Sequence, residues 1–544
     1  MATNPDIETD ISYEIFTFFR NLNNAVEYCD ASALHDLYEI QFEALTKKHY
    51  IIGPGQTRPW PSLRLKVVSD NFKTKIAEQV YSFIYYKHLF TDRAAKLQDA
   101  KVSWATFSDL FAAIADGYFE LPSWMLWDVF DEFIYQMTVV YQKRFSTRSE
   151  WTLAETFSIM DRVIEKSGII PLMSQPNIIE DLTKDGNTRV LGGFFAIITR
   201  SKLNVLLGSY FDALSDLQPL DIFGVGRSVL QKVTPAYISL LYNVGFSYLM
   251  IHRYEDASNN FRRCLAVKSS GRKFSERLQL DAAYMFVCSR VLGGMLITNV
   301  SSYLDPRKLA SFEDDKESLR LGDEERFRDV FDRCSPKFIS VPPLATGVKG
   351  TEGKELQARM FRRAVQQQQE IIKLRGYFGV YQNTKMSLLE TLLDTDDGYA
   401  PLFALKLRSR QLVHNGESPD LLSGDHKVSA QYDCIVSDDN VEVVPCVNFG
   451  GMEGKFFNKI KGLQRAQQKQ AQRKQNQTRP RRDLGEGKPQ QGERRRLQQK
   501  GGKGAQERGQ NIRNPQQRRY NNTQHRAAPL SSDTNNLFNR NVEQ

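Results

Sequence analysis

The sequence has no run of apolar residues long enough to cross a membrane. Its most apolar short segment, residues 190–198, is far shorter than the roughly 20 residues that a transmembrane helix needs. The first ten residues, MATNPDIETD, are polar and acidic, which is typical of neither a secretory nor a mitochondrial signal. We therefore expect a soluble, cytoplasmic protein that makes no membrane contact.

Cysteine and histidine are scarce and scattered. The 6 cysteines form no Cys-x-x-Cys pair, and the 7 histidines form no His-Glu-x-x-His motif. This spacing excludes a zinc finger and favours free thiols in a reducing compartment. We expect no metal and no other cofactor.

The sequence signatures of catalysis are incomplete. Residues 347–354, GVKGTEGK, resemble a phosphate-binding loop, but one extra residue separates the glycines. Glu355 also stands where Ser or Thr would hold magnesium, so we expect an ordinary polar linker. The segment around Ser247 lacks the second glycine of a nucleophile elbow. The sequence predicts that the protein is not an enzyme.

Helical periodicity dominates the first part of the chain. Apolar residues spaced by three or four over residues 124–141 form one wide stripe, as on an amphipathic helix. Asp128, Asp131 and Glu132 lie largely on the other side of this helix, where we expect solvation rather than acid–base chemistry. Similar stripes occupy residues 11–28, 34–50 and 76–90.

Residues 237–266 have the spacing of one tetratricopeptide helix pair. We expect Gly245 to let two antiparallel helices approach and Ala257 to fill the contact opposite it. Tyr248 and Phe261 would then pack along the seam. One clear repeat among degenerate ones predicts an all-α, irregular helical solenoid, whose stacked helix pairs offer extended surfaces to partners.

A small winged-helix domain is predicted after the repeats. Residues 386–393 and 402–413 predict two short helices, and residues 430–436 and 440–447 predict a β-hairpin. Pro445 predicts that the second of these strands lies at a sheet edge.

The second predicted helix of this domain poses a choice between nucleic acid and protein. It carries Lys406, Arg408 and Arg410, and many winged helices read DNA with this element. Three basic residues are a weak signal, and a fold does not by itself assign a function. We expect the helix to contact protein.

The last apolar pattern precedes a strongly basic tail. Phe456, Ile460 and Leu463, together with Phe457, form a stripe on a predicted helix that we expect to contact other subunits. From residue 461 onward the chain has 20 Lys and Arg against 6 Asp and Glu, whereas the preceding residues have 53 against 58.

The tail has too few apolar residues to fold by itself, so we expect disorder. Its clustered cations would bind RNA phosphates by counterion release, although a merely solubilising tail is the alternative. Tyr520 and Phe538 are its only aromatic residues, so base stacking would add little. The candidate RNA contacts are Arg473, Lys474, Arg481, Arg482, Arg494, Arg495, Arg496, Arg518 and Arg519.

These patterns divide the chain into six segments. They are a flexible N-terminus (1–10), an N-terminal helical domain (11–180), TPR-like repeats (190–380), a winged helix (381–450), a C-terminal helix (451–470) and a disordered basic tail (471–544).

Several segments resemble one family of scaffold proteins. The most specific is the tryptophan-rich stretch 121–136, LPSWMLWDVFDEFIYQ. Weaker matches are residues 59–61, 85–88, 244–250, 253–257 and 334–338 and the winged helix through residues 456–457. Together they resemble the L-subunit family of eukaryotic translation initiation factor three, whose helical repeats and winged helix form a PCI domain. The tail after about residue 470 has no counterpart in a typical member, and residues 299–353 match poorly.

The resemblance implies a non-catalytic scaffold subunit of that initiation factor, which binds the small ribosomal subunit and promotes recruitment of messenger RNA. It implies subunits K and E as neighbours and a bundle of C-terminal helices that residues 454–468 would join. Two alternatives stay open, a PCI scaffold subunit of the proteasome lid or signalosome and a free-standing nucleic-acid-binding regulator.

Overall fold

The structure is a computed structural model, and the residues that it describes fall within one compact unit. They are residues 11–53, 56–91, 95–143, 151–175, 187–268, 273–340, 352–416 and 418–446. The fold class is confirmed, because helices make up most of these residues and the longer antiparallel strands follow them near the C-terminal end.

The N-terminal part is a set of helices around an aromatic core. The indoles of Trp60 and Trp151 are buried, and each donates a hydrogen bond, to Thr46 Oγ1 (2.9 Å) and to the Ala100 carbonyl (2.8 Å). Burying these large rings therefore leaves no indole N–H without an acceptor. A two-stranded hairpin, β1 (Ile51–Gly53) and β2 (Gln56–Thr57), and two π-helical segments, Asp36–Gln41 and Thr46–Tyr50, interrupt the helices. The helices are α1 (Tyr13–Glu27), α2 (Ala31–His35), α3 (Phe42–Leu45), α4 (Lys66–Ser69), α5 (Lys75–Thr91), α6 (Leu97–Asp116), α7 (Ser123–Lys143), α8 (Leu153–Ser167) and α9 (Ile169–Met173).

Helix α10 (Thr188–Leu207) lies at the centre of the helical body. It packs against α6, α7 and α8 on one side and against the helices that follow it on the other. Its longest uninterrupted apolar run is short, but by total length and mean hydropathy it is, among the described residues, the one helix that could cross a bilayer, and 78% of its apolar window is buried inside the protein. A Cβ at Gly192 would lie 2.6 Å from Ile114 Cγ2, and one at Gly193 would lie 1.9 Å from Ser167 Oγ. The two glycines thus allow close packing, which identifies α10 as a core helix of the fold.

The repeats follow directly from α10 and share its core. They are α11 (Tyr210–Asp216), α12 (Val225–Lys232), α13 (Thr234–Met250), α14 (Tyr254–Ala266), α15 (Lys273–Leu292), α16 (Pro306–Arg320), α17 (Glu324–Cys334) and α18 (Glu352–Phe378), with 3₁₀ turns at Gln218–Leu220 and Ser301–Tyr303. A single hydrophobic core runs from Ile15 in α1 to Leu421 beyond the repeats.

The predicted tetratricopeptide pair is α13 and α14, and its closest contact differs from the prediction. A Cβ at Gly245 would lie 2.9 Å from Cε1 of Phe261, so the glycine makes room for this ring rather than for Ala257. The expected seam is nevertheless present, because Tyr248, Ala257 and Phe261 are all buried. The glycine is required by the size of the ring opposite.

The winged helix consists of two helices and two small sheets. Its elements are β3 (Asn383–Lys385), α19 (Met386–Leu393), α20 (Tyr399–Arg408), β4 (Arg410–Val413), β5 (Asp425–Val428), β6 (Tyr432–Ser437) and β7 (Asn440–Pro445). The prediction of a helix over residues 402–413 was wrong at its end. The helix stops at Arg408, because residues 410–413 pair antiparallel with β5, and this long-range pairing outweighs the local helical pattern.

The predicted hairpin is present as β6 and β7, but the edge prediction for its second strand was wrong. The strand order is β3-β7-β6, so β7 is the central strand. β3 pairs only with residues 440–442, and Pro445 therefore lies beyond the end of β3. The missing N–H of Pro445 leaves no ladder bond to β3 unmade.

A second, smaller core belongs to the winged helix. It joins Leu374 and Phe378 at the end of α18 to Leu389, Leu402 and Val441. The long helix α18 therefore takes part in both cores and connects the repeats to the winged helix.

Candidate subunit-interaction surface

Helix α20 carries an exposed apolar stripe. Tyr399, Phe403 and Leu407 lie four residues apart, on one face, and are 45%, 63% and 73% exposed. Leu402 and Leu405 on the other side are buried in the core of the winged helix. Exposed apolar residues that line up in this way are typical of protein contact surfaces. We call Tyr399, Phe403 and Leu407 the α20 stripe.

The basic residues of the same element are largely engaged within the protein. Lys406 Nζ lies 2.9 Å from Asp433 Oδ1 and donates to the Cys434 carbonyl. Burial opposes ionisation of Asp433, but the hydrogen bonds from Lys406 and the Cys434 N–H, together with the nearby positive charges, outweigh burial and lower the pKa of that carboxyl. Arg408 donates to the Gln367 carbonyl of α18, and Arg410 lies in β4 rather than on the helix. Lys406 and Arg408 therefore already donate hydrogen bonds within the protein, and Arg410 does not belong to the helix; that α20 contacts protein stays a prediction.

A buried ion pair fastens the winged helix to the repeats. Arg253, at the turn between α13 and α14, forms a salt bridge with Asp256 (Nη2–Oδ2 2.6 Å). Its guanidinium also donates to the carbonyls of Leu421, Leu422 and Ser423, at 3.1, 2.8 and 3.0 Å. We call this arrangement the Arg253 latch. One planar cation satisfies three carbonyls of a loop that is 168 to 170 residues away in sequence.

Neighbouring residues reinforce the latch. The Tyr248 hydroxyl donates to the Leu421 carbonyl (2.7 Å), and the Arg253 guanidinium lies 4.9 Å from the centre of the Tyr248 ring. The backbone N–H of His414 donates to both oxygens of Asp256, at 3.0 and 3.1 Å. Arg253 and Asp256 lie within the predicted repeat pair at residues 237–266, and nothing local in the sequence signals a partner so distant along the chain.

The carboxylates of α7 are not the solvated face that the sequence pattern predicted. Asp128 accepts hydrogen bonds from Lys87 Nζ (2.6 Å) and from the Tyr38 hydroxyl (2.7 Å). Asp131 forms a salt bridge with Lys202 of α10 (2.6 Å). The prediction was wrong because α5 and α10 cover this side of α7 and supply the cations.

Glu132 is the most buried of the three carboxylates. It accepts a hydrogen bond from Gln136 Nε2 (2.9 Å), and Gln136 in turn accepts one from Ser103 of α6 (2.5 Å). Burial raises the pKa of Glu132 to about 8, against the attraction of Lys87 and the hydrogen bond from Gln136. A carboxyl held neutral in this way braces α6 and α7 through hydrogen bonds.

The thiols and the remaining predicted positions show no catalytic arrangement in the part of the chain that the structure describes. Burial raises the pKa of the Cys334 thiol to about 12, so this thiol is not activated. Within the described ranges, no three His, Cys, Asp or Glu side chains converge as metal ligands would. Lys354 lies in the first turn of α18, which begins at Glu352, and forms a salt bridge with Asp332 (3.1 Å). Residues 352–354 are therefore helix and not the polar linker that the sequence predicted.

The predicted contacts of the C-terminal helix and tail lie outside the described residues. These are Phe456, Phe457, Ile460 and Leu463, and the tail cations from Arg473 to Arg519.

Helical repeats that share a long helix with a terminal winged helix define the PCI class of scaffold proteins. Comparison with known proteins narrows this class. The family model described as RNA polymerase I-associated factor PAF67 matches residues 99–462, well over half of the chain, and the chain belongs to this family.

Curated relatives carry one name, Eukaryotic translation initiation factor 3 subunit L. The protein of that name from Nematostella vectensis is 24% identical over 80% of this chain and 88% of its own length. Its namesakes from Drosophila yakuba and Danio rerio are each 24% identical, over 80% and 75% of this chain and 90% and 76% of their own. The resemblance to the L-subunit family is confirmed.

Proposed function

We propose that this protein is a non-catalytic, cytoplasmic scaffold subunit of eukaryotic translation initiation factor three. The names of its curated relatives support membership in this complex, and the exposed α20 stripe supports a role in binding other proteins as a scaffold. In this role the protein helps the factor to bind the small ribosomal subunit and to recruit messenger RNA. The six-segment division of the chain stands as part of this proposal.

The α20 stripe packs against the PCI domain of a neighbouring subunit, with subunits K and E as the neighbours. Burying apolar area contributes about 25 cal/mol per Å², and aromatic anchors dominate many protein interfaces. Tyr399 and Phe403 are such anchors, and both are more than two-fifths exposed in the isolated chain. The Arg253 latch matters here because it fixes the orientation of this surface relative to the repeats.

Two further contacts complete the proposal. The apolar positions Phe456, Phe457, Ile460 and Leu463 join a bundle of C-terminal helices, because an amphipathic helix gains stability when its apolar face is covered. The basic tail reaches RNA, since 20 cations against 6 anions favour a polyanionic partner.

Affinity purification of the full-length chain from cells tests the assignment. We expect the other initiation-factor subunits and small-ribosomal proteins to copurify, as identified by mass spectrometry. The double variant Phe403→Ser/Leu407→Ser should fold normally and recover clearly less of one neighbouring subunit. Recovery of proteasome-lid or signalosome subunits instead would keep the fold and refute the function.

A matched control separates the stripe from general surface hydrophobicity. Tyr118 and Leu321 are 75% and 67% exposed and lie outside the winged helix. The double variant Tyr118→Ser/Leu321→Ser removes similar exposed apolar area and should recover every subunit normally. If both double variants lose the same partner, the α20 stripe is not the specific contact.

A further inference from the structure

A cavity lined by charged, amide and apolar side chains lies where the repeats meet the winged helix. Its volume is about 450 Å³, which is within the usual range for small-molecule sites. The turn between α13 and α14, one face of α18 and the start of β4 form its walls. Its lining includes three arginines and one histidine but no Asp or Glu.

The positive charge of this cavity is not fully compensated. Arg253 is neutralised by Asp256, whereas no hydrogen bond or salt bridge joins the side chain of Arg410 to another described residue, and Asp433 attracts it without direct contact. Arg408 donates from one nitrogen to the Gln367 carbonyl and retains its other donors. Guanidinium groups bind phosphate through paired N–H bonds, so the cavity favours an anion of this geometry.

Two buried carboxamides that line the cavity each have an unused polar atom. Gln368 and Gln411 are both 6% exposed, and Gln368 Oε1 and Gln411 Nε2 have no hydrogen-bond partner within the described residues. Gln411 Oε1 already accepts from the Glu255 backbone, which fixes the orientation of that amide. An unpaired buried polar atom costs about 1–3 kcal/mol of folding free energy. Two such atoms beside one cavity therefore call for an explanation. One acceptor and one donor together match a ligand that carries both functions.

Flat aromatic surface borders the same cavity. The His252 and Tyr254 rings stack at 5.8 Å with an interplanar angle of 19°, and Phe211 is 62% exposed. His252 has a φ of 64°, in the left-handed region that side-chain-bearing residues rarely adopt. His252 follows the end of α13, where a residue with positive φ commonly caps a helix, so glycine would be the cheaper residue there.

We propose that this cavity binds a nucleoside phosphate. Arg408 and Arg410 would take the phosphate, the Phe211 and His252 rings would stack on the base, and the two carboxamides would pair with its donor and acceptor. An acidic peptide would use the arginines but would leave the aromatic surface and the amide pair without a role. The bound nucleoside phosphate is either a free nucleotide or one nucleotide of single-stranded RNA, because both offer the same chemical groups.

Titration calorimetry of the full-length chain tests the proposal with three probes. The first is adenosine 5′-monophosphate, the second is a 5′-phosphorylated hexauridylate, and the third is hexaglutamate. We expect nucleotide binding that Arg410→Ala and His252→Gly each weaken by about tenfold, or ~1.4 kcal/mol. Binding of the mononucleotide identifies a free nucleotide as the ligand, whereas binding of the hexamer alone identifies RNA, provided that Arg410→Ala and His252→Gly weaken it.

Two controls isolate the cavity from the rest of the chain. Arg359→Ala removes an exposed cation from α18, two turns before the cavity, and should leave nucleotide binding unchanged. His252→Gly relieves the positive φ, so its melting temperature should not fall while its affinity does. The proposal fails if neither nucleotide probe binds, or if Arg410→Ala and His252→Gly leave nucleotide binding intact. It also fails if these two variants weaken hexaglutamate binding more than nucleotide binding, because the basic tail alone can attract a polyanion.

Discussion

The Arg253 guanidinium and the Asp256 carboxylate form an ion pair that is buried between the repeats and the winged helix. Their side chains are 8% and 5% exposed, and Nη2 lies 2.6 Å from Oδ2. Each partner also bonds to winged-helix backbone, Arg253 to the loop at 421–423 and Asp256 to the His414 N–H. The pair therefore sets the orientation of one domain on the other.

Removing the cation should loosen this junction. Arg253→Ala leaves the Asp256 charge buried and removes the side-chain donor from the carbonyls of Leu422 and Ser423, while Leu421 keeps its bond from Tyr248, and the loss should cost about 3–5 kcal/mol. We expect local opening first, because the second core of the winged helix does not depend on the pair. Hydrogen exchange of the His414 amide reports it, since its acceptor is Asp256.

A lysine at position 253 shows whether the planar guanidinium group of Arg253, and not only its charge, holds the junction closed. Arg253→Lys keeps the charge but cannot reach three carbonyls at once, so its exchange rate should lie between wild type and Arg253→Ala. Wild-type exchange in both variants would mean that the latch does not hold the domains together.

Gly245 should tolerate no side chain. In Gly245→Ala the new Cβ lies 2.9 Å from the Phe261 ring, and overpacking of this kind costs about 1–3 kcal/mol. Gly376 in α18 is the matched control, because a Cβ there meets nothing within 4 Å. Gly376→Ala should be neutral or stabilising by up to ~1 kcal/mol. Thermal unfolding compares the two, and equal melting temperatures would contradict the close approach.

Glu132 should make stability depend on pH. Its pKa is about 8 in the folded protein against an ordinary 4.5, so the folded state holds a proton that the unfolded state has released. The stabilisation is complete below about pH 4.5 and disappears as pH rises through 8, at about 1.4 kcal/mol for each unit of pKa difference. Glu132→Gln cannot titrate, so its unfolding free energy should fall less than that of wild type between pH 5 and 8 in denaturant titrations. Parallel profiles would show that the carboxyl is ionised when buried.

The local pattern of residue types was enough to predict those elements whose stabilising contacts join residues close together in sequence. The stripe over residues 124–141 predicted α7, and the break at residues 437–439 predicted the hairpin of β6 and β7. Each depends on short spacing and turn chemistry, which the sequence states directly.

Distant pairing accounts for the errors. Residues 410–413 continue a helical pattern but form β4, because β5 lies beside them. Asp128 and Glu132 were predicted to be solvated. That prediction failed because Lys87, which acts on both carboxylates, comes from a different helix, α5. The carboxamides of Gln368 and Gln411, each with one unused polar atom, likewise carry no local signal, since only the folded chain brings them to one cavity.

The tail should bind RNA through charge alone. A chain that ends at residue 470 loses most of the 20 cations counted from residue 461 and should lose most of its affinity for single-stranded RNA. Counterion release predicts that the logarithm of the full chain's affinity falls steeply and linearly with the logarithm of salt concentration, by about 0.7 for each phosphate neutralised on a single strand. Filter binding over a salt series measures this slope.

If counterion release drives RNA binding by the tail, lysine and arginine should serve equally well there. Replacing the nine clustered tail cations by Gln should flatten the salt dependence of RNA affinity. Replacing the eight arginines among them by Lys should preserve both the affinity and the slope. The reason is that counterion release depends on charge and not on the geometry of the guanidinium group. A large loss in the Lys variant would show that the tail recognises RNA through arginine-specific contacts. Unchanged binding in the Gln variant would locate the RNA contact outside these clusters and leave the tail a solubilising role.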